Sequence, residues 1–554
     1  MTALTRPFAT SLLFLALPMA GSGQGTARYQ PQALSVEDYS RAEGMLAPFM
    51  TPLVRGAAVD PTWIGNDRFW YPTRTDRGVE FKVVDVSDRS VGNAFDQEAL
   101  AAGMSSATGQ VFEPFNLPLR TFEIVGGGVA FAAGGALWFC ATEGDCTAEE
   151  TTEPPNSVTS PDGRLAAYIR DHNLWVRDLE SGQDRPLTTD GIEDFGYATN
   201  NAGWVRSERP VLRWSPDSRK IATFQHDSRG VGEMYLVTTG VGHPELDRWK
   251  YPLPEDSVVF RIERVIVDVE GPGVVRLQMP PDVHRSTVCD HVYCGGTFAD
   301  VEWSPDSRLL AFVSSSRDHK EAHLRVADAA TGAVRDVLSE QVETFYESGY
   351  RQANWRVFFE RNEVLWFSER SDWGHLYVYD LESGRLDRQL TSGDWAVLQV
   401  RHVDLDGGVL FFTGAGREPG DPYFHYLYRV PIEGGDVRLL TPDSAHHTVS
   451  ISPEGEYFVD SWSTPVTAAH NVVRDMDGRV AMDLEDQDIS LLTQSGWKPP
   501  IPFTVKARDG ETDLYGLMHT PSDLDPSLEY PVVNYLYPGP QSGSIRTRGF
   551  TEAR

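Results

Sequence analysis

The chain has 554 residues, 40% hydrophobic and 11% aromatic, with 49 Lys and Arg against 80 Asp and Glu for a formal charge of −31. So much apolar surface offsets the entropy of ordering and excludes a wholly disordered chain, and the length suits one large repeat domain with a smaller companion. The acidic excess, broken by no Lys/Arg-rich block, repels phosphate backbones and anionic lipid and argues against nucleic acid as a partner.

At the N-terminus Arg6 precedes an apolar run from Phe8 to Ala20, and small residues follow to Gly23. This is the layout of a secretory signal, and the run is shorter than the roughly 18 to 20 apolar residues that span a bilayer. Residues 1–23 are therefore expected to be a cleaved signal peptide and the mature protein to be periplasmic or secreted, with a membrane-anchored N-terminus as the competing reading. Within residues 24–51, Ser35 stands ahead of acids, and Leu34, Tyr39, Ala42 and Leu46 fall near helical spacing. That pattern predicts one short helix.

Residues 52–492 read as short strands in which β-branched and aromatic residues alternate with polar ones between Gly/Asp/Ser/Pro clusters. Examples are 69–71, 80–86, 165–179, 220–227, 309–316, 363–369, 375–381, 409–414 and 425–430. A turn recurs among them as Ser160-Pro161-Asp162-Gly163, Ser215-Pro216-Asp217-Ser218, Ser304-Pro305-Asp306-Ser307 and Ser452-Pro453-Glu454-Gly455. Pro sets φ for the first corner, and the acid can bond the backbone beyond it. The shortest spacing between copies, 55 residues, divides this segment into about eight units, so a mainly β fold is expected, a propeller of seven or eight blades.

Four cysteines form two close pairs, Cys140/Cys146 and Cys289/Cys294. In an exported protein they read as two local disulfides at hairpin ends, a zinc site being the weaker alternative because the spacing departs from a Cys₄ site. No other ligand set points to a metal, and His446-His447 reads as a loop pair. From about Trp497 the pattern changes. FTVKA, LYGLMHT and PVVNYLYPG read as strands, the last apolar enough for a buried sheet, so residues 493–554 are expected to open an α/β domain.

The stretches 168–182, 214–227, 249–256, 367–384, 388–395 and 509–540, ending in YPVVNYLYPGP, resemble the prolyl oligopeptidase family of serine peptidases, in its dipeptidyl peptidase IV-like branch. The resemblance implies an eight-bladed propeller capping an α/β-hydrolase, peptide substrates held between the two, no cofactor, and a possible homodimer of the complete enzyme. It also implies a Ser-Asp-His triad, yet no G-x-S-x-G elbow occurs in these 554 residues. The expectation is a chain holding the propeller and only the first strands of a truncated hydrolase domain, inactive alone.

By the same resemblance Tyr537 matches the tyrosine whose hydroxyl helps hold the oxyanion. The branch's Glu-Glu pair for the substrate ammonium is replaced by Gly203-Trp204, leaving Glu208 as the nearest acid. Tyr350 and Arg351 lie near the branch's aromatic-Arg pair, and Trp204 enters the substrate-binding set by position. A secreted propeller that binds peptides or envelope partners without catalysis remains the alternative, distinguished by whether residues 501–540 have a use.

Overall fold

The computed structural model describes residues 27–28, 33–119, 121–133, 136–142, 144–150, 152–199, 207–271, 273–283, 298–346, 354–536 and 548–553. Eight antiparallel sheets follow one another along the chain, seven of them built from four consecutive strands and the fourth from six strands interrupted by the separate hairpin Glu233–Thr238 with Glu245–Lys250, which is the eight-bladed propeller. Their first strands are Thr62–Trp63, Glu123–Val125, Val158–Thr159, Arg213–Trp214, Val301–Trp303, Arg356–Phe358, Ala396–Asp404 and His446–Ile451 for blades 1 to 8. In blade 4, Phe195–Tyr197 shares this position beside Arg213–Trp214.

Strand boundaries follow the alternation in the sequence closely. Lys220–Asp227 forms one strand of blade 4, and the run at 165–179 is the hairpin Leu165–Arg170 with Asn173–Asp178. Its two-residue turn holds Asp171 and His172 at φ 50° and 64°, the left-handed pair that matches strand twist. Blades pack face to face, so the core is a series of inter-blade layers. One joins blades 4 and 5 through Phe224, Ile266, Trp303 and Phe312, and another joins blades 8 and 1 through Phe69, Tyr71, Val459 and Val473.

Three of the four copies of the recurrent turn share one geometry. Ser160, Ser215 and Ser304 each donate their hydroxyl to the acid two residues on at 2.6 Å, and each accepts a backbone N–H from the start of the next strand at 2.9–3.0 Å. The fourth turn residue has φ near +60° to +73°, which suits Gly163 and Gly455 but strains Ser218 and Ser307. The serines have a reason to be there. Ser218 Oγ accepts the N–H of Asp162 in the preceding blade at 3.1 Å, and Ser307 Oγ that of Asp217 at 3.3 Å.

The ring closes between blades 8 and 1 by the same device with different residues. Asn66 Oδ1 accepts the N–H of Glu454 at 3.0 Å, and Asn66 Nδ2 donates to the Glu454 carboxylate. Buried Asn471 accepts from Val59 N–H and donates to the carbonyls of Ala57 and Glu485.

Helix Val36–Glu43 carries the expected Ser35 cap, reciprocated by Asp38 as a capping box, and buries none of its residues. A short helix, Ala47–Met50, follows, and a longer one, Gln97–Thr108, lies between blades 1 and 2 and interrupts the strand pattern. Asp96 caps its start, and Gly103 lets it approach the Gly144 carbonyl and Cys146 closely. Cys140 and Cys146 face each other in register across two strands of blade 2 and are bonded as a disulfide. Cys289 and Cys294 lie outside the described residues.

Beyond the propeller, Ile501–Lys506 and Asp513–Met518 form a hairpin. The run Pro531–Leu536 differs from expectation. It joins no ladder, leaving Val532 and Val533 each 91% exposed, while Leu528–Glu529 pairs in parallel with Ala27–Arg28. An apolar run becomes a central strand only with strands on both sides, and the described residues supply none there. Residues 548–553 return to the propeller. Buried Arg548 pairs with Asp421, and Phe550 N–H donates to Ser463 Oγ at 2.9 Å.

Ser307 offers a direct test of the inter-blade bond. Ser307→Ala is expected to lower stability by about 1–2 kcal/mol, losing the bond while keeping the strained φ, and Ser307→Gly to cost less because glycine accepts that φ. Urea titrations of the two variants decide, and equal or absent effects contradict this account.

Burial also sets an acid limit. Desolvation lowers the pKa of His226 and His425 to about 4 and that of His446 to about 3, where His425, His447 and Arg548 add repulsion. Each regains a value near 6.5 on unfolding, so between about pH 6.5 and 4 the unfolded chain binds more protons. Their contribution is intact above that window and is lost as pH falls through it, by about 1.4 kcal/mol per pH unit for each histidine. Urea midpoints measured from pH 7.5 to 4.5 are expected to decline, and a flat profile counts against it.

Candidate functional site

First strands of neighbouring blades bond to one another, which sets them around a common axis. Trp214 Nε1–H donates to Val158 O at 3.0 Å, Trp303 Nε1–H to Arg213 O at 3.2 Å, and Trp63 Nε1–H to Ser450 Oγ at 3.1 Å. Val357 N–H donates to Glu302 Oε2 at 2.8 Å, Asn354 Nδ2–H to Leu398 O at 2.8 Å, and Arg401 Nη2–H to Val449 O at 2.7 Å. These contacts tie blade 3 to 4, 4 to 5, 5 to 6, 6 to 7, 7 to 8 and 8 to 1. Any side chain on these strands that reaches solvent does so beside the central tunnel.

The tunnel-side residues are read from exposure along each first strand. Arg213 is exposed between buried Leu212 and Trp214, and Glu302 is half-buried between Val301 and Trp303. Arg356 is half-buried between Trp355 and Val357, and Arg401 is exposed beside buried Val400. Arg401 sits where the register slips between Val400 and His402, a bulge that turns one side chain out of the ladder.

Glu123, Thr159 and Thr448 are exposed on the first strands of blades 2, 3 and 8, and Asp60 just before blade 1. Although Arg213 meets solvent, desolvation by the surrounding blades lowers its pKa, as does the charge of Arg356, while Glu302 opposes the shift. The same enclosure raises the Glu302 carboxyl. None of these four residues was singled out from the sequence. The available signal was the residue just before the tryptophan of each WSPDS turn, Arg213 in one copy and Glu302 in the other.

Of the residues expected to bind substrate, Glu208 is described. It is exposed on the connection that leads from Phe195–Tyr197 into Arg213–Trp214. Trp204, Tyr350, Arg351 and Tyr537 lie outside the described residues.

Two charged clusters are internally satisfied. Glu340 accepts from Trp366 Nε1–H at 2.8 Å, from Ser368 Oγ–H and from Arg370 Nη2–H at 3.0 Å, with Arg370 stacked on Tyr377. His446-His447 is in a strand rather than a loop, because the pair opens the first strand of blade 8. His447 bonds Asp460 at 2.7 Å, and Arg474 bridges Asp460 and Asp443. Among the described residues no group of three His, Cys, Asp or Glu side chains has the arrangement of a metal site.

Comparison with known proteins agrees with this architecture. The sequence profile of the dipeptidyl peptidase IV (DPP IV) N-terminal region matches residues 141–469, more than half of the chain. A probable dipeptidyl-aminopeptidase B of Aspergillus fumigatus is 24% identical over 446 residues, covering 73% of this chain and 47% of the relative. One of Emericella nidulans is 24% identical over 442 residues, covering 72% and 47%. The chain thus spans about half the length of the curated relatives it matches.

Among solved structures, a putative dipeptidyl aminopeptidase IV from Bacteroides ovatus superposes with a TM-score of 0.66 at 17% identity, over 90% of this chain and 69% of that one. Porphyromonas gingivalis dipeptidyl peptidase 4 gives 0.65 at 18% identity, over 94% and 71%. With the eight blades, the recurrent turns and the profile match together, the chain belongs to the family of the dipeptidyl peptidase IV N-terminal region.

Proposed function

We propose that these residues are the propeller and the opening of the hydrolase domain of an exported serine peptidase that removes dipeptides, with the propeller gating access of peptides. The observation that carries this reading is the polypeptide after blade 8. The hairpin Ile501–Lys506 with Asp513–Met518 has Phe503, Val505, Leu514 and Met518 each 41–50% exposed, and Val532 and Val533 stand in solvent beyond it. A free-standing propeller has no use for such a segment, whereas an α/β domain would cover it. Export rests on the layout of residues 1–23.

In this reading the nucleophile comes from residues outside these 554, because no G-x-S-x-G occurs in them. Tyr537 supplies an oxyanion donor, Glu208 meets the substrate ammonium with its exposed carboxylate, and Trp204, Tyr350 and Arg351 line the peptide. The protein purified from its own source through a tag is expected to release Xaa-Pro dipeptides and to label with a fluorophosphonate. Tyr537→Phe should lower kcat and kcat/KM together by roughly 10²-fold, since the hydroxyl meets charge that exists only in the tetrahedral intermediate. Absence of both release and labelling would replace this reading by a non-catalytic peptide-binding propeller.

A homodimer is proposed on one further feature. The hairpin Glu233–Thr238 with Glu245–Lys250 pairs with no other strand among the described residues, and Tyr235, Leu236, Val237 and Leu246 are each 53–61% exposed along it. A second copy of the chain would bury that ribbon. Sedimentation velocity is expected to give a dimer that Leu236→Lys with Leu246→Lys converts to monomer, and a monomeric unmodified protein refutes it.

A further inference from the structure

We propose that the propeller ring is open between blades 2 and 3, and that this seam is a lateral gate through which an extended peptide passes into the tunnel. The proposal rests on the reading of this propeller as a peptide-handling domain and adds the route that the peptide takes.

Packing is the first support. Seven of the eight inter-blade layers hold a cluster of buried apolar side chains drawn from both blades, and among the described residues the layer between blades 2 and 3 holds none. Blade 2 buries Phe131 and Trp138 against Trp70 and Phe81 of blade 1, so strand alternation aims Ala132, Leu137 and Phe139 at blade 3. They meet solvent instead, Leu137 being 51% exposed and Phe139 39%.

The directional bonds are missing at the same place. First strands tie blade 3 to 4 and so on round the ring to blades 8 and 1, and blade 1 holds the lead-in to blade 2 through Gln97, whose side chain bonds the backbone of Phe81 and Val79. Among the described residues no hydrogen bond joins a strand of blade 2 to a strand of blade 3. The turn that reaches back to the preceding blade through Ser218 and Ser307 has Gly163 at that corner in blade 3. A Cβ placed on Gly163 would meet no atom within 4 Å, whereas one on Gly455, the corner of blade 8, would strike His402 of blade 7. The corner of blade 3 is therefore not covered by blade 2.

Blade 3 instead covers this face with its own side chains. Arg170 lies over the rings of Trp175 at 4.6 Å and Tyr168 at 5.1 Å, and both Arg170 and Arg177 pair with Asp184. The guanidinium groups are held flat by stacking and by that carboxylate, so the face stays intact without blade 2. Exposed Leu137 and Phe139 gain by leaving water for this aromatic surface, which supplies a closed state, and no buried core or inter-strand bond has to break to reopen it. An extended peptide can pass where two sheets part, and a folded protein cannot, so the seam admits chains without tertiary structure.

The test uses the 554-residue chain in two measurements. Hydrogen exchange read by mass spectrometry is expected to be at least about tenfold faster in the hairpin Gly128–Ala133 with Ala136–Ala141 than in Lys220–Asp227 or Leu309–Ser315, whose blades are packed on both faces. Thr147 and Glu149 are exposed and stand in register beside Phe139 and Leu137. Thr147→Leu with Glu149→Leu, which widens the apolar strip, should seal the seam and slow that exchange, and Leu137→Ser with Phe139→Ser should not slow it. Thr147→Leu alone is a second sealing variant, expected to act in the same direction with the melting temperature unchanged.

Stopped-flow fluorescence with a dye-labelled Xaa-Pro peptide then reads passage. The sealing pair should lower the association and dissociation rates together by about fivefold or more at unchanged Kd, and the serine pair should leave both as fast or faster. Exchange in blade 2 as slow as in blades 4 and 5 overturns the open seam whatever the peptide does. Unchanged rates in the sealing variants, or a weaker Kd without slower association, overturn the gate and leave the peptide-handling reading in place. No binding of the peptide by the unmodified chain overturns both.

Discussion

Side chains that reach from one blade into the backbone of the next are what the rest of this fold depends on. A blade is a twisted antiparallel sheet with two apolar faces, and burial alone would let neighbouring blades slide on each other, since the hydrophobic effect has no direction. Direction comes from a few hydrogen bonds at the inner end of each layer. Trp214 and Trp303 set the distance between first strands by bonding Val158 O and Arg213 O, and Ser218 and Ser307 set the height by holding the turn of the preceding blade. The indoles are buried in the same layers, so one side chain supplies both the apolar contact and the polar constraint.

This explains a local oddity. Serine at φ +59° is less comfortable than glycine would be, and the two turns with glycine at the corner show that the conformation does not require serine. A residue strained in isolation persists because a neighbour over-determines it. Closure of the ring obeys the same requirement without the repeated residues. Blade 1 has no SPD turn, and Asn66 provides the acceptor that serine provides elsewhere.

Much of this was legible in the sequence. The strands, the recurrent turn, the capping box at Ser35 and the division into about eight units are local features, set by alternation and by residues with special backbone preferences. What was not legible depends on contacts made far along the chain. Nothing near Asn66 or Asn471 announces that they meet blade 8 and the N-terminal lead-in, with partners 388 and 412 residues away. The run at 531–536 has the composition of a central strand, but a strand is defined by its neighbours, and composition cannot say whether they are present. The helix Gln97–Thr108 was hidden because its two small turns of alanine, glycine and serine carry little periodic contrast.

The tunnel residues were hidden for a different reason. Alternation along a strand separates inside from outside, but a propeller has two outsides: bulk solvent around its rim and an enclosed channel along its axis. Arg213 and Arg185 look alike in a binary pattern, yet Arg185 lies on the last strand of blade 3, Asp184–Pro186, and Arg213 on the first of blade 4. Charge on the rim is screened within a Debye length of about 8 Å at physiological salt. Charge on the axis is surrounded by protein and acts on whatever enters. Enclosure therefore leaves its mark on the axis residues, lowering the pKa of Arg213 and raising that of the Glu302 carboxyl.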